Sequence, residues 1–247
     1  MAGHSKWANI QHRKGRVDAA RGKLWSKLSK KIIVAAKMGG GDPDANFTLR
    51  KAIDDAKAVS MPKDNITRAI KSGTGELDGG NVVETIYEGY GPGGVAVMCE
   101  SLTDNENRTR PEIKTIFKKC GGDIGKTSCV SYLFDRKGVF VFDGELDEEE
   151  LTMAALEHGG DDVSREDDKW QVTCAVENFN ALSDAFTAAE MTPERSELEW
   201  MPQTMVDLDK DNAGKVLRLL EQLDDHDDIQ SVSTNANITD EVLAEQS

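Results

Sequence analysis

Long apolar runs are missing from this 247-residue sequence. The longest near the N-terminus, Ile32-Ile33-Val34-Ala35-Ala36, is too short for a membrane-spanning helix or for the apolar centre of a secretion signal. Met1-Ala2-Gly3 does not open a myristoylation signal either, so no membrane partner is expected. Cysteine is scarce. Cys99, Cys120, Cys129 and Cys174 are scattered with no C-x-x-C pair, and read as reduced, mostly buried thiols in a cytoplasmic chain. Histidine is scarcer in effect, because His4, His12, His158 and His226 lack ligand-spaced partners or a nearby nucleophile. No metal, no cofactor and no enzymatic activity are expected.

What is there is charge, divided unevenly. The net charge of −15 argues at first against a nucleic-acid partner. Residues 1–41, however, carry ten Lys and Arg against Asp18 alone, a net +9. Residues 1–80 carry +8, and the remaining 167 residues carry −23. A basic arm on an acidic body is a hint of nucleic-acid binding.

Periodicity predicts helices alone over the first 80 residues. From Asp18 to Met38, Leu24, Leu28, Ile32 and Ala35 recur on one face, and Gly39-Gly40-Gly41 ends the run. Asp42 and Pro43 suit the N-cap and first position of a second helix through Leu49, Ile53 and Ala56 to about Ser60. Pro62 starts a third, closed by Gly73. Beyond the glycine-rich, acidic linker 73–80 the pattern changes to strands at 82–87, 95–100, 130–134, 139–142, 171–176 and 197–201. Helices fall between them at 109–119, 148–158, 179–190 and 212–223. Gly94-Val95-Ala96-Val97 leads through a helix to Gly121-Gly122, and Gly138-Val139-Phe140-Val141 leads through another to Gly159-Gly160. This faint repeat predicts an α+β chain: a three-helix bundle, then two small α/β layers of strand–helix–strand units. Residues 131–204, at −14, are the most acidic stretch.

Three motifs look catalytic and fail on context. Gly89-Tyr90-Gly91-Pro92-Gly93-Gly94 fits a dinucleotide loop, but a strand follows where a helix N-terminus is required, so a hairpin turn is expected. Gly121 to Thr127 resembles a phosphate loop, but Cys120 replaces the first glycine and the helix precedes the loop. Asp207, Asp209 and Asp211 suggest a calcium loop, yet Asn212 and Arg218 stand where glycine and glutamate belong; an acid-rich helix start is the better reading.

The basic end is more informative. At about 100° per residue, Arg16, Lys23, Lys27, Lys30 and Lys37 fall within an arc of about 80° beside the apolar stripe. Ahead of it, Lys6, Trp7, Asn9, His12, Arg13 and Lys14 combine cations, an aromatic ring and an amide, the groups that neutralise phosphates, stack on bases and read base edges. Arg21, Lys31 and the Met61-Pro62-Lys63 turn with Asn65 complete the expected nucleic-acid surface. The second and third helices have helix-turn-helix proportions, with Arg68 and Lys71 also on the third, although such a pair also serves as a plain packing unit.

Met1-Ala-Gly-His-Ser-Lys-Trp-Ala-Asn-Ile, Arg21-Gly-Lys, Gly39-Gly-Gly-Asp-Pro, Met61-Pro-Lys-Asp-Asn-Ile, Tyr87-Glu-Gly-Tyr-Gly-Pro-Gly-Gly, Thr103-Asp-Asn-Glu-Asn-Arg-Thr and Trp200-Met-Pro-Gln-Thr occur in this order. Together they resemble the YebC family, which includes the mitochondrial translational activator of cytochrome c oxidase. The resemblance runs from residue 1 to about Val232. It implies a helical domain at 1–80, a discontinuous α/β domain at 81–130 and 205–247, and an inserted acidic α/β domain at 131–204. It also implies a cytoplasmic, non-enzymatic role in gene expression, described in two ways: binding promoter DNA as a transcriptional regulator, or acting on ribosomes and rRNA as a translation factor, including at proline-rich stretches. The charge pattern leans to the ribosome, since an acidic body is repelled by a duplex that it wraps. A further alternative is an adaptor whose 131–204 unit takes a basic protein partner.

Overall fold

A computed structural model describes residues 21–77, 81–166 and 168–238. The expected segments Lys6, Trp7, Asn9, His12, Arg13, Lys14 and Arg16, and the side chain of Arg21, lie outside the described residues. The fold is α+β and divides into two compact units, one formed by Ser131–Met205 and one by the chain on either side of it.

In the larger unit, α1 (Arg21–Gly39) packs against both α2 (Phe47–Ala58) and α3 (Lys63–Gly73), which pack on α1 far more than on each other. Leu28, Ile32, Ala35, Leu49, Ile53, Ala56, Ile66 and Ala69 form the core, as their spacing requires. One boundary moves. The sequence predicts Asp42 as the cap of α2, but Asp42 closes its own turn, accepting from the Asp44 N–H at 3.0 Å. The cap is Asn46, whose Oδ1 accepts from the Leu49 N–H at 3.1 Å. Its Nδ2 donates at 2.9 Å to the carbonyls of Ala35 and Gly40, at the end of α1. Asn46 joins two helix ends and Asp42 reaches neither, so the helix starts four residues later.

The sheet of this unit has the order β3-β1-β2-β9, antiparallel throughout. Its strands are β1 (Val83–Tyr90), β2 (Ala96–Thr103), β3 (Asp123–Ile124) and β9 (Ile229–Thr234). β1 and β2 form a hairpin closed by a Gly91 N–H to Val95 carbonyl bond of 2.8 Å, which is why the glycine-rich run holds no dinucleotide. Helices α4 (Glu106–Lys119) and α7 (Lys210–Asp224) cover the sheet through Ile113, Phe117, Val216, Leu219, Leu220 and Leu223. Asp209 caps α7 by accepting from the Asn212 N–H at 2.8 Å, the helix start expected for the acidic triplet. A short pair, β8 (Val206–Asp207) with β10 (Ala236–Asn237), lies beside it.

Residues 131–205 run β4 (Phe134–Asp143), α5 (Glu148–Glu157), β5 (Gly160–Glu166), β6 (Lys169–Ala175), α6 (Phe179–Ala188) and β7 (Arg195–Pro202). The sheet order is β5-β6-β4-β7, with every neighbour antiparallel. Strands β4 and β5 are therefore parallel, joined by α5 and separated by β6: the split β-α-β of a ferredoxin-like layout. Phe140, Phe142, Trp170, Phe179 and Phe186 fill its core, with Phe142 and Phe186 ring centres 4.8 Å apart. The two strands expected at 130–134 and 139–142 are one strand, because Arg136 stacks over Trp200 and Lys137 pairs with Asp161 at 2.6 Å across the polar stretch.

The faint repeat has a structural counterpart. In the larger unit β2, α4 and β3 make the same split β-α-β around β1. Both crossover helices end on a left-handed glycine, Gly121 at φ 84° and Gly159 at φ 86°. After α4 the Gly122 N–H donates to the Phe117 carbonyl at 2.8 Å, a helix end that a residue with a Cβ adopts only with strain.

Candidate nucleic-acid interface

The basic edge of α1 does not face solvent alone. Lys23 Nζ donates to the Asp225 carbonyl at 3.1 Å, Lys27 Nζ to the Asp224 carbonyl at 2.6 Å, and Lys30 Nζ to the Asp227 carbonyl at 3.0 Å and to Asp228 Oδ1. Three successive turns of α1 thus grip the end of α7 and the acidic run Asp224-Asp225-His226-Asp227-Asp228. The physical reason is plain: the last carbonyls of α7 lack intrahelical partners and carry the negative end of its dipole, so ammonium groups cap them. Burial pushes the Lys27 pKa down, and the Asp224 carboxylate 3.5 Å away only partly offsets this. Lys37 donates to Asn81 Oδ1 at 2.5 Å. Lys23, Lys27 and Lys30, expected on the nucleic-acid face, are here occupied as a clamp inside one unit.

Asp228 anchors that clamp. Its residue surface is 1 % exposed, and it receives Lys30, Arg108 at 2.8 Å, Thr109 Oγ1 at 2.6 Å and Thr103 Oγ1 at 3.4 Å. Burial alone raises a carboxyl's pKa, but the bonds from Lys30, Thr109 and Arg108 outweigh it and hold Asp228 well below the usual carboxylate range. Glu112, His226 and Asp228 converge closely enough to suggest a metal site. Their atoms already serve one another: His226 Nδ1 accepts from the Asp228 N–H at 3.1 Å, and its Nε2 lies 3.0 Å from Glu112 Oε2. Two cations on Asp228 also oppose a dication there. A groove of about 890 Å³ opens between α1 and α4 above this network, with Lys23, Arg108, Glu112, Lys119 and Asp227 on its walls.

The other expected residues separate by exposure. Met61 is 5 % exposed and belongs to the helical core, which removes it from any contact surface. Pro62, Lys63, Asn65, Arg68 and Lys71 are exposed on α3 and its entry, and the three cations have no ion pair among the described residues. Lys31 is half-buried on α1. By contrast, the α2 cations Arg50 and Lys57 sit over Phe47 and on Asp54, respectively. Sequence reasoning passed over α4, although five of the Lys and Arg beyond residue 80 sit on it: Arg108, Arg110, Lys114, Lys118 and Lys119.

Residues 5–76 match the model of the TACO1/YebC protein N-terminal domain, and residues 82–236 match that of the TACO1/YebC second and third domain. The chain belongs to the TACO1/YebC family. It is 69 % identical over 246 residues to a "probable transcriptional regulatory protein" of Rhodopirellula baltica, covering 99 % of this chain and 100 % of that one. A protein of the same description from Maridesulfovibrio salexigens is 52 % identical, with 99 % of each chain covered. Among solved structures, a conserved hypothetical protein of Aquifex aeolicus superposes with a TM-score of 0.85 at 44 % identity, over 93 % of this chain and 95 % of that one. No helix among the described residues is long and apolar enough to cross a membrane.

Proposed function

We propose that this chain is a non-enzymatic, cytoplasmic regulator of gene expression that binds nucleic acid through its N-terminal helical region, and that its target is ribosomal RNA, where it assists synthesis through proline-rich stretches. The observation that carries the reading is the sorting of cations. Those of α1 nearest α7 are neutralised within the molecule, whereas Lys63, Arg68 and Lys71 on α3 stay exposed without ion pairs, in the same helical region as the Lys- and Arg-rich residues 1–20. Cations without partners next to an acidic remainder suit phosphate binding by one end only. Folded RNA admits such an end while the acidic remainder stays in solvent. In this reading residues 1–80 make the contact and residues 81–130 with 205–247 form the platform that α1 is clamped to. The acidic part 131–204 is left for a basic protein partner; on α5, Met153 and Leu156 are 60 % and 62 % exposed among Glu149, Glu150 and Glu157.

A second reading, promoter DNA, draws on the printed description of the relatives as transcriptional regulators. Sedimentation of a lysate through sucrose separates them. Co-migration with ribosomal particles, lost at high salt and lost when Lys63, Arg68 and Lys71 become Gln, is the expected result. A protein that stays at the top of the gradient at low salt and retains promoter fragments overturns the ribosomal reading.

A further inference from the structure

On the flank of α4 turned away from the groove, Arg110, Lys114 and Lys118 stand at i, i+4 and i+8, all exposed. They span an arc of about 80° and follow one another about every 6 Å along the axis, with exposed Asn107 on the same flank. None has an ion pair among the described residues. Like charges four apart on a helix repel each other, and this row contains two such pairs. Acid to neutralise them is abundant in a chain with 45 Asp and Glu. Elsewhere in the unit it is used so: Lys27 lies on Asp224, and Lys30 and Arg108 lie on Asp228. Glu106, at the head of the flank, accepts from Thr85 Oγ1 at 2.6 Å instead. The row therefore keeps its repulsion although the means to remove it are at hand.

We propose that this flank of α4 is a second RNA contact, in which Arg110, Lys114 and Lys118 track successive phosphates of one strand and Asn107 reaches its ribose or base edges. The inference rests on the nucleic-acid reading above and adds a surface outside the N-terminal region. A row of cations without an aromatic ring recognises backbone rather than sequence, so it contributes affinity and salt dependence.

The test titrates a fluorescein-labelled 23S rRNA transcript with the full chain, with Arg110→Gln/Lys114→Gln/Lys118→Gln and with Lys63→Gln/Arg68→Gln/Lys71→Gln, across a salt series. The α4 variant is expected to bind at least about tenfold more weakly at low salt, with a log–log salt slope less negative by about 2, near 0.7 for each single-strand phosphate released. Its thermal midpoint is expected to equal or exceed that of the parent, because two repulsions are gone. An unchanged slope and affinity in the α4 variant, beside a loss in the α3 variant, overturns the inference and leaves the functional reading standing. Failure of the parent chain to bind the transcript overturns both. A lowered thermal midpoint with weaker binding assigns the row to the fold, and tighter binding to duplex DNA of equal length overturns the choice of RNA.

Discussion

Asp228 draws donors from α1, α4 and the end of β2 into a site nearly closed to water. Removing its charge leaves Lys30 and Arg108 facing each other without a counter-ion, and breaking a buried pair in this way costs about 3–5 kcal/mol. Asp228→Asn is accordingly expected to lower the urea midpoint by an amount equivalent to about 3 kcal/mol. The pH dependence has a definite sign. A carboxyl held below its unfolded value stabilises the fold fully above about pH 4 and loses that contribution as the pH falls further. The gap between parent and Asp228→Asn should thus narrow on acidification below about pH 4, as followed by denaturant titration at each pH. The block Thr103 to Thr109 stood out in the sequence, but its partner did not: Asp228 lies 119 to 125 positions away and carries no local pattern of its own.

Among the elements, local chemistry decided how much was legible. The strands and helices that bury an alternating or 3.6-period face were readable, including α1 through Leu28, Ile32 and Ala35. Edge strand β5, Gly-Asp-Asp-Val-Ser-Arg-Glu, has no alternation to read because its residues are largely solvated. The start of α2 was misplaced because Asp42-Pro43 carries a helix-start signal that Asn46 overrides by bonding into the end of α1. Asn46→Ala removes a cap and strands two carbonyls, and is expected to cost about 2 kcal/mol, whereas Asp42→Ala should cost less than about 0.5 kcal/mol. Paired chemical denaturation curves distinguish the two. Similarly, Gly121→Ala forces a left-handed φ of 84° on a residue with a Cβ, so a loss of about 1 kcal/mol is expected by the same measurement.

For the whole molecule, the uneven charge was legible and its internal use was not. A lysine-rich helix edge reads as a ligand surface when nothing nearby in sequence opposes it, yet the carbonyls and acids that take Lys23, Lys27 and Lys30 lie 197 to 202 residues downstream. Replacing these three lysines with Glu sets like charges against the end of α7. The variant is expected to be destabilised, with faster proteolysis in the 74–82 stretch even without nucleic acid, as limited digestion would show. The α3 cations, lacking such partners, are the cleaner probe of binding. The most direct measurement is ultraviolet cross-linking of the full chain in cells, followed by sequencing of the attached nucleic acid and mass spectrometry of the attached peptides. Ribosomal RNA joined to peptides from residues 1–20 and from α3 is the result this account predicts; promoter DNA, or cross-links confined to residues 131–205, would contradict it.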